Sequence, residues 1–354
     1  MTTYAQVSTY ISFPRKRKHA LPSSLLGKWS SALLDDLPAE IIILILELAL
    51  SNDRPRHLVL TSQLIRHFVN MIVYRTVVLD TLRTITLFHR TASCKRSLHL
   101  LAHVKSLVVT VKPEHFTSST GQQLGQIIAN CPSLCEIAIA SSCQIKISPS
   151  IFLPYLDGPS DLTIQSFDSL FGSEPLPSEP LSSEDLLPAY FSNSLTHLRI
   201  CEPSNRWQSP LSIITSLRGV PNLTHLQLAR RVGSNKDNDI IFTEEVAHLL
   251  ATRKKLKMVV ISIFGGSIKM SSEALRKSNI WMMVSRLEAL DPRIVVLKGE
   301  LGKWKKEWKD VREFRCGVRL SDFWRMANQE VEKAKHWDAK SYCWDSVFGC
   351  FVVY

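Results

Sequence analysis

Two histidines stand at matching places in a repeated phrase: residues 194 to 200 read SLTHLRI and residues 222 to 228 read NLTHLQL, so His197 and His225 are equivalent. Paired imidazoles can hold a metal ion, but a protein metal site needs three or four ligands, and neither histidine has a second one at suitable spacing. Both are expected to be surface or hydrogen-bonded histidines, and no metal is assigned. Cys343 and Cys350 with His336 are spaced too loosely for the common zinc patterns. Serine, histidine and aspartate are plentiful, yet the sequence contains no GxSxG elbow, no phosphate-binding P-loop and no HExxH, and Gly265-Gly266 lacks the flanking glycines of a dinucleotide fingerprint. The reading is a protein without catalytic residues or cofactor, hence not an enzyme.

The eight cysteines, Cys94, Cys131, Cys135, Cys143, Cys201, Cys316, Cys343 and Cys350, form no CxxC pair and no regular framework. With no signal peptide in view, this usage predicts reduced thiols and a location in nucleus or cytoplasm. Forty-three basic against 32 acidic residues give a net charge of +11, which permits acidic partners. One cationic cluster is Arg15-Lys16-Arg17-Lys18 and another runs from Lys303 to Arg319. In the second, Lys303, Lys305, Lys306 and Lys309 are interleaved with Trp304 and Trp308, a combination that could grip phosphates. Trp304, Trp308 and Val311 nevertheless share one helical face while Lys305, Lys309 and Arg312 share another, so the tryptophans are expected to point inward and nucleic acid is not the expected partner. The longest unbroken apolar run, Ile41 to Leu46, is far short of the ~20 residues that span a bilayer, so no membrane segment is expected.

These residues must be positioned by a chain of 354 residues that is 45% hydrophobic, enough for a large core and roughly two domains. Residues 1–34, rich in serine and lysine or arginine and free of acids, read as a flexible basic arm. Its cluster Arg15, Lys16, Arg17 and Lys18 has the charge density of a nuclear import signal. A solvated tail is the plainer reading, and a mitochondrial presequence fits less well because the charges are clustered. From residue 80 to 300 helical and strand-like segments alternate. Helices are predicted at 82–90, 124–130, 210–218, 243–252 and 271–290, and strands at 104–111, 134–140, 194–200, 221–228, 256–264 and 293–297. The Pro-, Ser- and Glu-rich stretch 172–188 reads as an exposed loop that divides this α/β array. Residues 301–354, with a second helix predicted at 321–336, are expected to be helices capping the last strand, with a basic tail.

The most apolar stretch lies between Asp35 and Asp80. Pro38 suits the first turn of a helix, and Asp35, Asp36 and Glu40 place negative charge at its positive end. Beyond that start Ile41, Ile45 and Leu48 form one stripe and Ile42, Leu46 and Ala49 a second, with only Glu40 and Glu47 on a wet edge. A short apolar piece, Leu58-Val59-Leu60, and a helix from Gln63 to Tyr74 bearing Leu64, Phe68, Met71 and Ile72 complete the region. Three helices in some forty residues cannot bury so much apolar surface among themselves. The rest of the chain or another protein must cover it.

The opening LPAEII and the closing TSQLIRHFVNMIVYRTVVLD resemble the F-box family, specifically its fungal branch, over residues 37 to 80. The resemblance implies a three-helix unit at 35–79 that docks on a Skp-type adaptor, itself joined to a cullin scaffold and a ubiquitin-transferring enzyme. It implies adaptor contacts from Leu37, Pro38, Ile41, Ile42, Ile45, Leu46, Leu58, Leu60, Leu64, Ile65 and Phe68. The L-x-x-L-x-[IL] strands that follow, each preceded by a helix ending near proline, resemble degenerate leucine-rich repeats, though the spacing is irregular and the laddering asparagine is missing. The expectation is therefore an α/β chain, an F-box followed by a repeat-like array with C-terminal capping helices, acting as the receptor for an unknown protein target of a ubiquitin ligase. The alternative is a basic, non-catalytic scaffold that binds nucleic acid or a nuclear partner.

Overall fold

A strand buried on both sides has no polar alternation to display, and the β-branched runs of this sequence form such strands. The computed structural model describes residues 37–52, 58, 60, 62–111, 116–139, 158–168, 193–217, 219–266, 270–304 and 323–329. Eight strands, β1 (Thr76–Leu79), β2 (Ser106–Val109), β3 (Glu136–Ile139), β4 (Asp161–Ile164), β5 (His197–Ile200), β6 (His225–Arg231), β7 (Met258–Phe264) and β8 (Ile294–Gly299), make one sheet in sequence order, each parallel to the next. The arm, Arg15 to Lys18 and the loop 172–188 lie outside the described residues.

A parallel pair requires a crossover, and crossovers of one hand that always step in the same direction leave their helices on one side of the sheet. Helices α1 (Ala39–Asn52) and α2 (Gln63–Arg75) precede the sheet; α3 (Leu82–Ala92), α4 (Leu98–Leu101), α5 (Ser118–Ala129), α6 (Pro210–Ser216), α7 (Lys236–Thr252), α8 (Ser272–Arg276) and α9 (Asn279–Leu290) lie between strands. The main core is continuous along the array. It joins Leu107, Ile137, Leu162, Leu198, Leu226 and Val259, one row across six strands, to helix residues such as Phe88, Leu124, Ile213, Val246 and Val284. Because side chains alternate along a strand, the residues between these face the opposite side, where none of the described connecting helices packs.

Neighbouring units are tied by side chains that reach back to the carbonyl groups of the unit before. Asn130 Nδ2 donates to Ala92 O at 3.2 Å, Asn222 Nδ2 to Asn193 O at 2.7 Å, and the Arg293 guanidinium to Leu250 O and Leu256 O at 3.0 and 3.3 Å. In the repeated phrase the ladder is made by threonine: Thr196 Oγ1 donates to Ser160 O (3.1 Å) and Thr224 Oγ1 to Thr196 O (3.0 Å). Two threonine hydroxyls at equivalent positions thus tie β5 and β6 each to the backbone just before the preceding strand. The step between equivalent positions is uneven, 25 residues from Cys135 to Ser160 but 36 from Ser160 to Thr196, so the irregular spacing of the sequence is absorbed in the connections.

Several boundaries differ from the sequence expectation. The array begins at Thr76 rather than residue 80, because Thr76 to Leu79 continues from α2 without a loop and pairs in register with Ser106 to Val109. Strand β4 was not expected. Helices α5 and α7 start six and seven residues earlier than predicted, at polar first turns capped by Thr117 and Asn235. The helix predicted over 271–290 is two, because the side chain of Ser278 caps a new start by accepting from Trp281 N. Gly299 is needed where it stands: a Cβ there would collide with the ring of its cross-strand partner Phe264.

The expectation that the C-terminal segment caps only the last strand does not hold for its described parts. Trp304 is buried with Val108, Ala138 and Cys201, from β2, β3 and just past β5, and a helical stretch at 323–329 packs Trp324 and Ala327 on Met258, Val260 and Val295. Both therefore lie across the face of the sheet opposite its described connecting helices. That face carries alternate strand residues left uncovered by the connecting helices, and an apolar cover is most effective there. Lys305, Lys306, Trp308, Lys309, Val311 and Arg312 lie outside the described residues, as do His336, Cys343 and Cys350.

Candidate functional site

Two surfaces stand apart from the packed core. The first is on α1, whose start is set by Pro38 accepting from Ile41 N and Ile42 N. Ile42, Leu46 and Leu50 turn inward against Val69 of α2, and Leu37, Leu58, Ile65 and Phe68 pack partly buried around them. Ile42 and Leu46 were expected to face a partner; at 5% and 6% exposure they are consumed by the protein's own small core. The opposite stripe is exposed. Ile41, Leu44, Ile45 and Leu48 are 43%, 54%, 46% and 62% exposed, at the i, i+3, i+4, i+7 spacing of one helical face. Leu60 and Leu64 are exposed as well, and so is Pro38. Leu44 and Leu48 were not among the expected contacts, although the spacing from Ile41 would have found them. Glu47, expected on a wet edge, instead holds the last turn of α2 through a 3.0 Å ion pair with Arg75.

The second surface is the face of the sheet opposite its described connecting helices, where the register lines up two rows. One runs Ser106, Glu136, Asp161, His197, His225 and Met258, the other Val108, Ala138, Thr163, Arg199, Gln227 and Val260. Polar members bond along the rows, and Gln227 also reaches Ser262 of β7, outside both. Ser106 Oγ donates to Glu136 Oε2 at 2.7 Å, Arg199 Nε to Gln227 Oε1 at 2.9 Å and Gln227 Nε2 to Ser262 Oγ at 2.8 Å. Such a ladder is stable inside only because every donor finds an acceptor. Past β5, Glu202 accepts from Gly302 N (2.6 Å), Trp304 Nε1 (2.9 Å) and Gln165 Nε2 (2.9 Å), which fixes the chain leaving β8 onto this face.

The two repeated histidines meet here. Their rings stack 4.3 Å apart at 15°, His197 Nδ1 lies 2.7 Å from Asp161 Oδ1, and each ring contacts Trp324. Each Nδ1 also sits 2.8 Å from the preceding threonine hydroxyl, which has already given its proton to a carbonyl and so accepts from the ring. Both rings are thus in use as stacking and hydrogen-bonding groups. Among the described residues no three His, Cys, Asp or Glu are grouped so as to hold a metal ion, and no described helix is long and apolar enough to cross a membrane.

Burial pushes the His225 imidazole down to about 4, with the His197 ring and Lys257 acting the same way and Asp161 opposing them. In the unfolded chain the same ring gains a proton near 6.5, so between these values the unfolded state binds more protons. The contribution of neutral His225 is therefore complete above about pH 6.5, declines as pH falls and is lost by about pH 4. Melting curves from pH 7 to 4 are expected to fall more steeply for the wild type than for His225→Gln; parallel curves would refute the assignment.

No protein-family model matches the sequence, and no curated protein matches it.

Proposed function

We propose that this protein is a non-catalytic substrate receptor of a Skp-cullin-F-box type ubiquitin ligase. The helices within 37–75 would dock on a Skp-type adaptor and, through it, on a cullin, while the array offers a surface to a target protein. The stripe of Ile41, Leu44, Ile45 and Leu48 carries this reading, since it is a continuous apolar face on a helix whose other side is already packed. Each such side chain, fully buried, contributes ~1.5–3 kcal/mol, so several together are required to outweigh an association cost of ~4–15 kcal/mol. The L-P-A-E-I-I opening that resembles the F-box supports the same assignment. A sheet that advances one parallel strand at a time, with its connecting helices on one side, supports the leucine-rich-repeat-like reading of the remainder.

Capture of partners by the tagged full-length chain tests the proposal. The wild type is expected to recover the adaptor and cullin, and Leu44→Lys with Leu48→Lys to lose both while melting like the wild type. Recovery of neither by the wild type, or of both by the doubly substituted chain, would defeat the adaptor assignment. Arg15 to Lys18, read as the import signal, belong to the same proposal for a protein of nucleus or cytoplasm. The nucleic-acid alternative leans on Lys303, Lys305, Lys306 and Lys309, of which only Lys303 is among the described residues, and no described contact favours it.

A further inference from the structure

Because the strands all run the same way, their carboxyl ends share one rim of the sheet, and the loops there can enclose space that the core leaves unfilled. A cavity of about 220 Å³ does so at the ends of β5 and β6, beside the residues that follow β4. Its floor is the top of the helix-side core, with Phe167, Ile200, Ile213, Leu228 and Phe242. The loop after β5 walls it, and polar bonds hold that loop in place. Phe167 N donates to Ser204 Oγ at 3.1 Å, Asn205 N to Asp168 Oδ2 at 2.9 Å, and Ser212 Oγ to Gln208 Oε1 at 2.9 Å. Trp207 of the same loop lays its ring 4.3 Å from the guanidinium carbon of Arg230.

Arg230 lines this cavity although it is only 7% exposed. Its Nε and Nη2 donate to Asp239 Oδ1, whereas Nη1 bonds no described residue. A guanidinium carries five N–H donors, and leaving one unsatisfied in the interior is costly. No buried side chain among the described residues has a sealed nitrogen or oxygen without a partner. Nη1 therefore keeps access to solvent, and for a residue so buried that access is the cavity. Arg206 and Arg231 line the same space; both are exposed, and neither guanidinium is paired with a described residue. The carboxylates nearby are already engaged. Asp239 holds Arg230, Asp168 holds Asn205 N, and Glu202 accepts from Gly302 N, Trp304 Nε1 and Gln165 Nε2. The cavity is thus apolar at its floor and short of negative charge at its mouth.

We propose that this cavity binds a small organic monocarboxylate, with the apolar body on Phe167, Leu228 and Phe242 and the carboxylate at Arg230 Nη1 and the two rim arginines. The planar fork of a guanidinium matches the two oxygens of a carboxylate. A single negative charge fits better than two, because the Asp239 and Glu202 carboxylates remain beside it. The volume is below the ~300–1,000 Å³ of pockets that take drug-sized ligands, so the body is one ring or a short branched chain. This site is separate from the α1 stripe, so the proposal goes beyond the receptor reading and does not depend on it.

Calorimetric titration of the full chain tests it, with benzoate, phenylacetate and isovalerate as probes. The corresponding amides keep the body and lose the charge, and acetate keeps the charge and loses the body. At least one of the three carboxylates is expected to bind saturably at millimolar concentration or below, at least tenfold more tightly than its amide and than acetate. Arg206→Gln with Arg231→Gln, both at exposed positions, is expected to melt like the wild type and to weaken that binding at least threefold. Arg230→Met with Asp239→Leu, which removes the buried pair together, is expected to weaken it at least tenfold. No saturable binding of any of the three carboxylates, or equal binding of acid and amide, overturns the proposal. So does unchanged affinity in the rim variant, which decides the matter even if the Arg230 variant does not fold.

Discussion

Asp239→Ala is expected to cost about 3–5 kcal/mol of stability, because it leaves a guanidinium buried without its charge partner. Arg230, near the end of β6, points to the helix side of the sheet and donates from Nε and Nη2 to Asp239 Oδ1 at 2.9 and 2.7 Å. The side chains are 8% and 5% exposed, and the Trp207 ring lies 4.3 Å from the guanidinium carbon, so water cannot replace the carboxylate cheaply. Asp239 also stands in the first turn of α7, where a negative charge contributes ~0.3–1 kcal/mol through the helix dipole. Asp237→Ala, in the same turn but exposed, measures that smaller effect by itself. Replacing both partners by apolar residues of similar size, as in Arg230→Met with Asp239→Leu, is expected to recover most of the loss. Denaturant unfolding of these variants checks the assignment; a loss below ~1 kcal/mol for Asp239→Ala would mean that Arg230 finds another acceptor.

The second large effect separates two residues that are neighbours in sequence. Leu46→Ala removes a side chain from the small core with Ile42, Leu50 and Val69 and is expected to cost ~2–5 kcal/mol. Ile45→Lys, on the exposed stripe, is expected to change stability by no more than ~0.5 kcal/mol. Under the proposed function both variants lose the adaptor, but for different reasons. Hydrogen exchange over residues 39–52 distinguishes them: Leu46→Ala raises exchange throughout α1, and Ile45→Lys leaves it at the wild-type level. Should Ile45→Lys raise exchange as much as Leu46→Ala, the stripe of Ile41, Leu44, Ile45 and Leu48 is structural and α1 turns that face toward the rest of the chain.

Much of the array was legible in the sequence, for a physical reason. Parallel strands buried on both sides read as apolar runs, and those at 256–264 and 293–297 lie within a few residues of β7 and β8. The helix predicted at 82–90 became α3, which runs on to Ala92, because Ile85, Phe88 and Ala92 recur at helical spacing. The strand at 161–164 was missed since DLTI is too short to show alternation, and the early turns of α5 and α7 were missed because polar caps carry no apolar period.

The sequence by itself also determined that α1 has more apolar surface than one neighbour can cover, because the excess is a matter of residue types at helical spacing. Only the tertiary structure decided which stripe is spent, since Val69 and Ile65 of α2 come to Leu46 and not to Ile45 through the angle at which two helices meet. It likewise decided that His197 stacks on His225 beneath Trp324. The repeat places the histidines at equivalent positions, but contact between them needs the register of β5 on β6, and their cover comes from about a hundred residues further along. Local periodicity fixes which face of an element is apolar; what lands on that face depends on long-range packing that periodicity does not encode.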